Sequence, residues 1–221
     1  MALELFGHPF SSYTWKPLIA LYEKGLDFEF RSIDQAADPG NAARLTELWP
    51  TGQFPVLVDD GTVLPESTII VEHLDQRFSE TPPMIPSDKN AALNVRLMDR
   101  LFDTQLEARF QAIVGEYLPF ITEKPDPKRI DRARSGLLAI YPWLDARLPN
   151  DGWACGDNFT LADCSAAPAL FHADWVQPFP DALVRLKAYR ARLNARPSVA
   201  RCIEDARPYR HYFPLGAPDR D

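Results

Sequence analysis

Apolar and polar positions alternate with a period of two in two short stretches near the amino terminus. Leu3 and Leu5 flank Glu4, and Phe28-Glu29-Phe30-Arg31-Ser32-Ile33 repeats the pattern, so each stretch predicts a strand. Between them an apolar run reaches Lys24 and stops at Gly25. It predicts a helix that starts near Tyr13 or Thr14, because Pro17 is tolerated only in a first turn, where N–H groups have no intrahelical partner. Asp38-Pro39-Gly40 predicts a turn, and residues 42–49 a short helix ended by Pro50 and Gly52. Pro55 cannot donate a ladder hydrogen bond and belongs at the start or edge of the apolar strand that follows it. Asp60-Gly61 between two β-branched runs is a hairpin signal. Ser67 then opens a helical pattern that runs to about Phe78.

Three prolines, Pro82, Pro83 and Pro86, make residues 80–88 a stiff linker that cannot continue a helix. Beyond it the period changes to that of a helix. Met98, Leu101, Phe102, Leu106, Phe110, Ile113, Val114 and Tyr117 recur at helical spacing. Ile130, Ala133, Leu137, Tyr141, Leu144 and Leu148 give a second helix, with Pro142 marking a bend, and residues 181–195 another. Thr160-Leu161-Ala162-Asp163 is a capping box in its Asp form, with Phe159 and Cys164 spaced as a hydrophobic staple. The expected organisation is an α+β unit over residues 1–79, the linker, and an all-α unit over residues 89–221. The β-α-β-α-β-β-α order of the first unit is the thioredoxin-like arrangement.

Composition narrows the function. A chain of 221 residues with 46% hydrophobic content has room for two domains. A net charge of −7 argues against a nucleic-acid surface. No run of roughly 18 apolar residues predicts a membrane span. Residues 1–8 lack the basic and long apolar regions of a signal peptide and read as the first strand. Cys155, Cys164 and Cys202 have no paired spacing, which predicts buried thiols in a reducing cytoplasm. His8, His73, His172 and His211 show no metal-ligand spacing, so no metal is expected.

The chemistry concentrates at two predicted helix starts. Ser11 and Ser12 precede the first helix, with Tyr13 beside them, and Glu66-Ser67 precedes the third. Helix starts carry free N–H groups that hold anions. From local sequence the serines read first as helix caps, with hydroxyl donation to a ligand as the alternative. Gly7-His8-Pro9-Phe10-Ser11-Ser12-Tyr13-Thr14-Trp15-Lys16 resembles the first strand-to-helix junction of the serine-type glutathione S-transferases, with features of the phi and zeta classes. Phe54-Pro55 and Glu66-Ser67 resemble that family's glutathione-binding segment. Asn158-Phe159-Thr160-Leu161-Ala162-Asp163 and Arg196-Pro197-Ser198-Val199 resemble its helix-capping signature and closing turn. Lys16-Pro17, Trp49-Pro50 and Phe54 depart from its usual residues.

The resemblance implies a thioredoxin-like domain followed by an all-helical domain, with glutathione as co-substrate. Ser11 would donate a hydrogen bond to the glutathione thiolate. Phe54 would pair through its backbone with the peptide, before a cis Pro55. Glu66 would meet the γ-glutamyl ammonium and Ser67 its carboxylate, with Gln53 a further polar contact. The acceptor would be a small apolar electrophile, in a pocket between the domains. Its candidate lining is Phe10, Tyr13, Phe102, Arg109, Phe110 and Tyr117, although an aromatic stripe at helical spacing is more often core than pocket. Arg109 interrupts that stripe and would suit an acidic acceptor. The resemblance further implies a cytoplasmic homodimer. It leaves open a glutathione-dependent isomerase, ether cleavage, dehalogenation, and a non-catalytic ligand-binding protein of the same fold.

Overall fold

A computed structural model describes residues 3–34, 36 and 38–221. The N-terminal part contains β1 (Leu3–Gly7), α1 (Ser12–Glu23), β2 (Phe28–Ser32), α2 (Pro39–Leu48), β3 (Val56–Asp59), β4 (Thr62–Pro65) and α3 (Ser67–Arg77). The first two residues of the predicted opening strand lie outside the described residues. The sheet order is β2-β1-β3-β4, with β1 parallel to β2 and antiparallel to β3, and β3 antiparallel to β4. This is the expected mixed sheet.

Alternation along the two central strands decides which helix covers which face. Leu3, Leu5 and Leu57 share a buried cluster with residues of α1 and α3. Phe6, Val56 and Val58 point the other way, into a cluster with Leu45 of α2. The hairpin turns at Asp60 and Gly61, whose φ values of 47° and 85° are the left-handed pair that a two-residue turn requires.

Two boundaries differ from the sequence reading. Helix α1 begins at Ser12, because Ser11 already serves as its N-cap. Helix α2 begins at Pro39, so Asp38-Pro39-Gly40 is a helix start and not a separate turn. The Asp38 carboxylate accepts from the Gly40 N–H at 2.9 Å, and Pro39 stands at the first helical position, where its missing N–H costs nothing.

The C-terminal part is helical: α4 (Lys89–Leu101), a π-helical stretch (Phe102–Glu107), α5 (Ala108–Gly115), α6 (Pro127–Arg147), α7 (Leu161–Val176), α8 (Val184–Ala195), α9 (Pro197–Ala206) and a 3-10 turn (Arg207–Tyr212). Helix α6 continues through Pro142. Arg196-Pro197-Ser198-Val199, expected as a turn, is the junction where α9 begins with proline at its first position. Helix α7 is buried along its whole length. Its capping box forms as expected: the Thr160 side chain meets the third helical amide, and Asp163 accepts from the Thr160 N–H at 2.9 Å. Asp163 also accepts from the Tyr189 hydroxyl at 2.5 Å and the Ala154 N–H at 2.8 Å.

One core joins the two parts. Trp15, Leu18 and Ile19 of α1 belong to the same buried cluster as Leu170 and Phe171 of α7 and Val199 of α9. The proline-rich connection is held in place too. Asp75 of α3 accepts from the N–H groups of Met84 and Ile85 at 2.7 and 3.1 Å, and the Met84 side chain is buried.

Candidate active site

A cavity of about 710 Å³ opens between the sheet part and the helical part. Ser11, Tyr13, Gln53, Phe54, Pro55, Glu66 and Ser67, all named from the sequence, line it together. Arg100, Asp103, Thr104, Ala108, Gln111 and Ile121 form the facing wall.

Each sheet-side residue is presented by a chain reversal. Ser11 sits between β1 and α1, where its Oγ accepts from the Thr14 N–H at 3.3 Å. Among the described residues its own O–H donates to nothing. Ser12 differs: it is buried, and its O–H donates to Glu107 in a short hydrogen bond. Of the two adjacent hydroxyls, that of Ser11 is therefore the one whose proton is uncommitted among the described residues. The Tyr13 phenol is raised above its ordinary pKa, first by burial and then by the acidic groups of Glu107 and Asp103, so it stays protonated.

The second reversal is the segment before β3. The Phe54–Pro55 bond is cis. The Phe54 N–H and C=O make no backbone hydrogen bond among the described residues, so its edge is free to pair with an extended peptide. The third is the β4–α3 junction. Glu66 has φ 73°, a left-handed conformation that costs a non-glycine residue about 1–2 kcal/mol. Ser67 follows as the first residue of α3, buried at a helix end whose amides have no intrahelical partners.

The wall opposite is built on a polar stripe that sequence reasoning passed over. Asp99, Asp103, Glu107 and Gln111 recur every four residues and all face α1. Lys16 Nζ lies 2.8 Å from Asp99 Oδ1, 2.7 Å from Asp103 Oδ1 and 2.9 Å from Thr68 Oγ1. One turn earlier on α1, Ser12 meets Glu107, and Gln111 Nε2 donates to Ser12 Oγ at 3.0 Å. A four-residue step in an α-helix overshoots a full turn by about 40°. The wider π turn at Phe102–Glu107 falls short of one, which keeps the four side chains in line. Burial pushes the Asp103 carboxyl up despite Lys16. Burial pushes Glu107 up to about 8 against the opposing hydrogen bonds from Ser12 and Gln111.

The stripe orders the cavity. Thr68, next to Ser67, hydrogen-bonds Asp103 at 3.4 Å, so Asp103 and Arg100 flank the Glu66-Ser67 end. Gln111, tied to Ser12, flanks the Ser11 end.

Five expected acceptor contacts lie outside this cavity. Phe102 and Phe110 are fully buried core residues, and Phe110 stacks on His172 with ring centres 5.5 Å apart. Phe10 packs in the same aromatic cluster against His172 and Trp175. The Phe10 and Phe110 rings thus turn toward α7 and away from the cavity. Arg109 points at α6: its guanidinium donates to Gln105 at 2.8 Å and fills the space beside Gly136, where a Cβ would fall 2.0 Å from Nη1. Tyr117 stands partly exposed beyond the end of α5. Arg100 is the basic side chain the cavity does contain. The signal for the facing wall was present as four polar residues at four-residue spacing, two of which, Asp103 and Gln111, line the cavity.

A mixed thioredoxin-like sheet, an unpaired backbone edge before a cis proline, a free serine hydroxyl at the first helix start and an all-helical second part define the fold of a glutathione transferase. Sequence comparison agrees. The family model for the glutathione S-transferase N-terminal domain matches residues 5–82, and that for the C-terminal domain matches residues 109–197. Glutathione S-transferase 3 of Zea mays is 31% identical over 91% of this chain and 93% of its own length. A stringent starvation protein A homolog of Haemophilus influenzae is 30% identical over 93% and 92%. The crystal structure of glutathione transferase F7 from Populus trichocarpa superposes with a TM-score of 0.76 at 25% identity, covering 92% of this chain and 98% of that one. The chain belongs to the glutathione S-transferase family.

Proposed function

We propose that this glutathione transferase binds glutathione along the Phe54 edge, activates its thiol at Ser11 and transfers the thiolate to a small apolar electrophile. Glu66 meets the γ-glutamyl ammonium, Ser67 and the α3 terminus take its carboxylate, and Gln53 adds a polar contact. A free thiol has a pKa of about 8.5, so activation requires selective stabilisation of the anion. The observation that carries the reading is that the Ser11 O–H is uncommitted while the Ser12 O–H is held by Glu107. One hydrogen bond to an anion is worth roughly 1.5–3 kcal/mol, or about one to two pK units.

Ultraviolet titration of the thiolate in the binary complex tests this. Ser11→Ala is expected to raise the thiolate pKa by about one to two units, and to lower turnover more than tenfold, with little change in glutathione affinity. If Tyr13→Phe raises it and Ser11→Ala does not, the donor is the phenol and the assignment falls. A second reading is a non-catalytic ligand-binding protein of the same fold, in keeping with a relative that is named a stringent starvation protein A homolog and not a transferase. An absent thiolate shift in the wild-type complex would favour that one.

The same proposal covers assembly and setting. Residues 1–79 and 89–221 form the two domains. Ile69 on α3 and Leu93 and Leu97 on α4 are exposed apolar side chains, and the Glu72–Arg96 ion pair joins the same two helices. They support a homodimer through this face, and light scattering that gave a 25.0 kDa mass at micromolar concentration would refute it. A detoxifying role in the cytoplasm fits an apolar electrophile and three unpaired thiols.

A further inference from the structure

Gln111 is the best-defined polar group at the reacting end of the cavity, and its amide is held in one orientation. Its Nε2 donates inward to Ser12 Oγ at 3.0 Å and to Glu107 Oε1 at 3.3 Å. With the proton of the neutral Glu107 carboxyl on Oε2, Oε1 is a carbonyl oxygen that accepts from the Ser12 hydroxyl, so both inner positions accept. An amide turned the other way would set its oxygen against two acceptors. Glu107 is fully enclosed and cannot swing away, and it lies in the π-helical stretch one turn before Gln111. The amide oxygen is therefore the group left over. Among the described residues it has no hydrogen-bond partner, and Gln111 lines the cavity that contains Ser11.

We infer that Gln111 is a specificity residue whose Oε1 accepts a hydrogen bond from the electrophile, so that the site prefers acceptors carrying an amide N–H or hydroxyl close to the carbon attacked by the thiolate. The inference rests on the proposed glutathione site and deepens it. In the reaction the glutathione sulfur forms a bond to carbon, the leaving group departs with its electron pair, and the N–H or O–H stays on the product. Gln111 takes no proton. It orients the electrophile by a bond that an otherwise apolar acceptor lacks. Ser12 and Glu107 act through it as positioning residues, since they fix which end of the amide faces the substrate.

The test uses a matched pair of electrophiles, 2-chloro-N-phenylacetamide and its N-methyl analogue, which lacks the N–H. For each, kcat/KM with glutathione is divided by the uncatalysed rate with free glutathione. The wild type is expected to favour the N–H compound by about tenfold, and Gln111→Leu to abolish that preference. Gln111→Met provides the same reading should the leucine variant fail to fold. Gln111→Glu keeps an acceptor oxygen and should retain part of the preference. Ser12→Ala unties the amide and should weaken it. The thiolate pKa in the binary complex is measured in every variant and should not move in Gln111→Leu. An unchanged preference in Gln111→Leu or Gln111→Met, with a normal thiolate titration, overturns the inference and leaves the glutathione site intact. Equal corrected rates in the wild type also overturn it. No thiolate shift in the wild type overturns the underlying site, and the inference with it.

Discussion

Lys16 is a buried cation, and its removal should expose how the two parts of the protein are coupled. Its ammonium is enclosed between Asp99 and Asp103 of the helical part and Thr68 of α3, all within 3 Å. Asp99 is fully buried and is bonded by Ser165 as well. Lys16→Met keeps most of the side-chain volume but leaves the buried Asp99 with no counter-charge, facing Asp103, which retains only the half-exposed Arg100 at 2.9 Å. Breaking a buried pair from one side costs about 3–5 kcal/mol. A chain this size loses about 2–3 kcal/mol of stability per molar urea, so the unfolding midpoint should fall by about 1–2 M. Measurements at one fixed protein concentration remove any contribution from self-association. The triple variant Lys16→Met, Asp99→Asn, Asp103→Asn carries no buried charge and should recover most of the loss. Because Thr68 adjoins Ser67, the single variant should also raise the KM for glutathione. A midpoint within 0.5 M (about 1 kcal/mol) of wild type would refute the reasoning. So would a triple variant less stable than the single one, because repulsion between uncompensated carboxylates would then not be the cause.

Glu107 holds its proton up to about pH 8 in the folded protein but only to about 4.5 when unfolded. The native state therefore binds more protons across that window, and stability should fall as pH rises through it, by roughly 4–5 kcal/mol in total, and level off above. Glu107→Gln should flatten this slope in urea titrations from pH 5 to 9, and an unchanged slope would count against a buried neutral carboxyl. Gly7→Ala would place a Cβ 2.5 Å from Thr14 Cγ2 and 2.7 Å from its Oγ1. It should cost about 1–3 kcal/mol and disturb the Ser11 turn, with partial recovery when combined with Thr14→Ala, as read by calorimetry. Thr160→Ala removes one cap of the buried helix α7 and should cost about 1 kcal/mol, lowering Tm by about 2–4 °C.

Residues 3–78 were largely legible because their signals are local. Two-residue alternation set β1 and β2, Asp60-Gly61 set the hairpin, and proline and serine marked helix starts, each by chemistry acting within a few positions. The same is true of the Thr160–Asp163 cap. Ser11, Phe54, Glu66 and Ser67 line the cavity together and each lies at a reversal that sequence marks, but the roles proposed for them came from the family resemblance. The facing wall was not legible in this way. A helix written as apolar at 98, 102, 106 and 110 is polar at 99, 103, 107 and 111, and periodicity alone does not say which stripe meets a cavity. The insertion of a π turn shifts hydrogen bonds without changing residue types, so it leaves no mark in the pattern. What chose between the stripes was packing: α7 took the aromatic side chains, and α1 offered Ser12 and Lys16 to the acids. Ser12 and Glu107 are 95 residues apart in the chain. The sequence by itself determined most of the elements and the sheet-side lining of the cavity. The tertiary structure decided which serine stays free and what stands opposite it, because both depend on partners that only folding brings within hydrogen-bond reach.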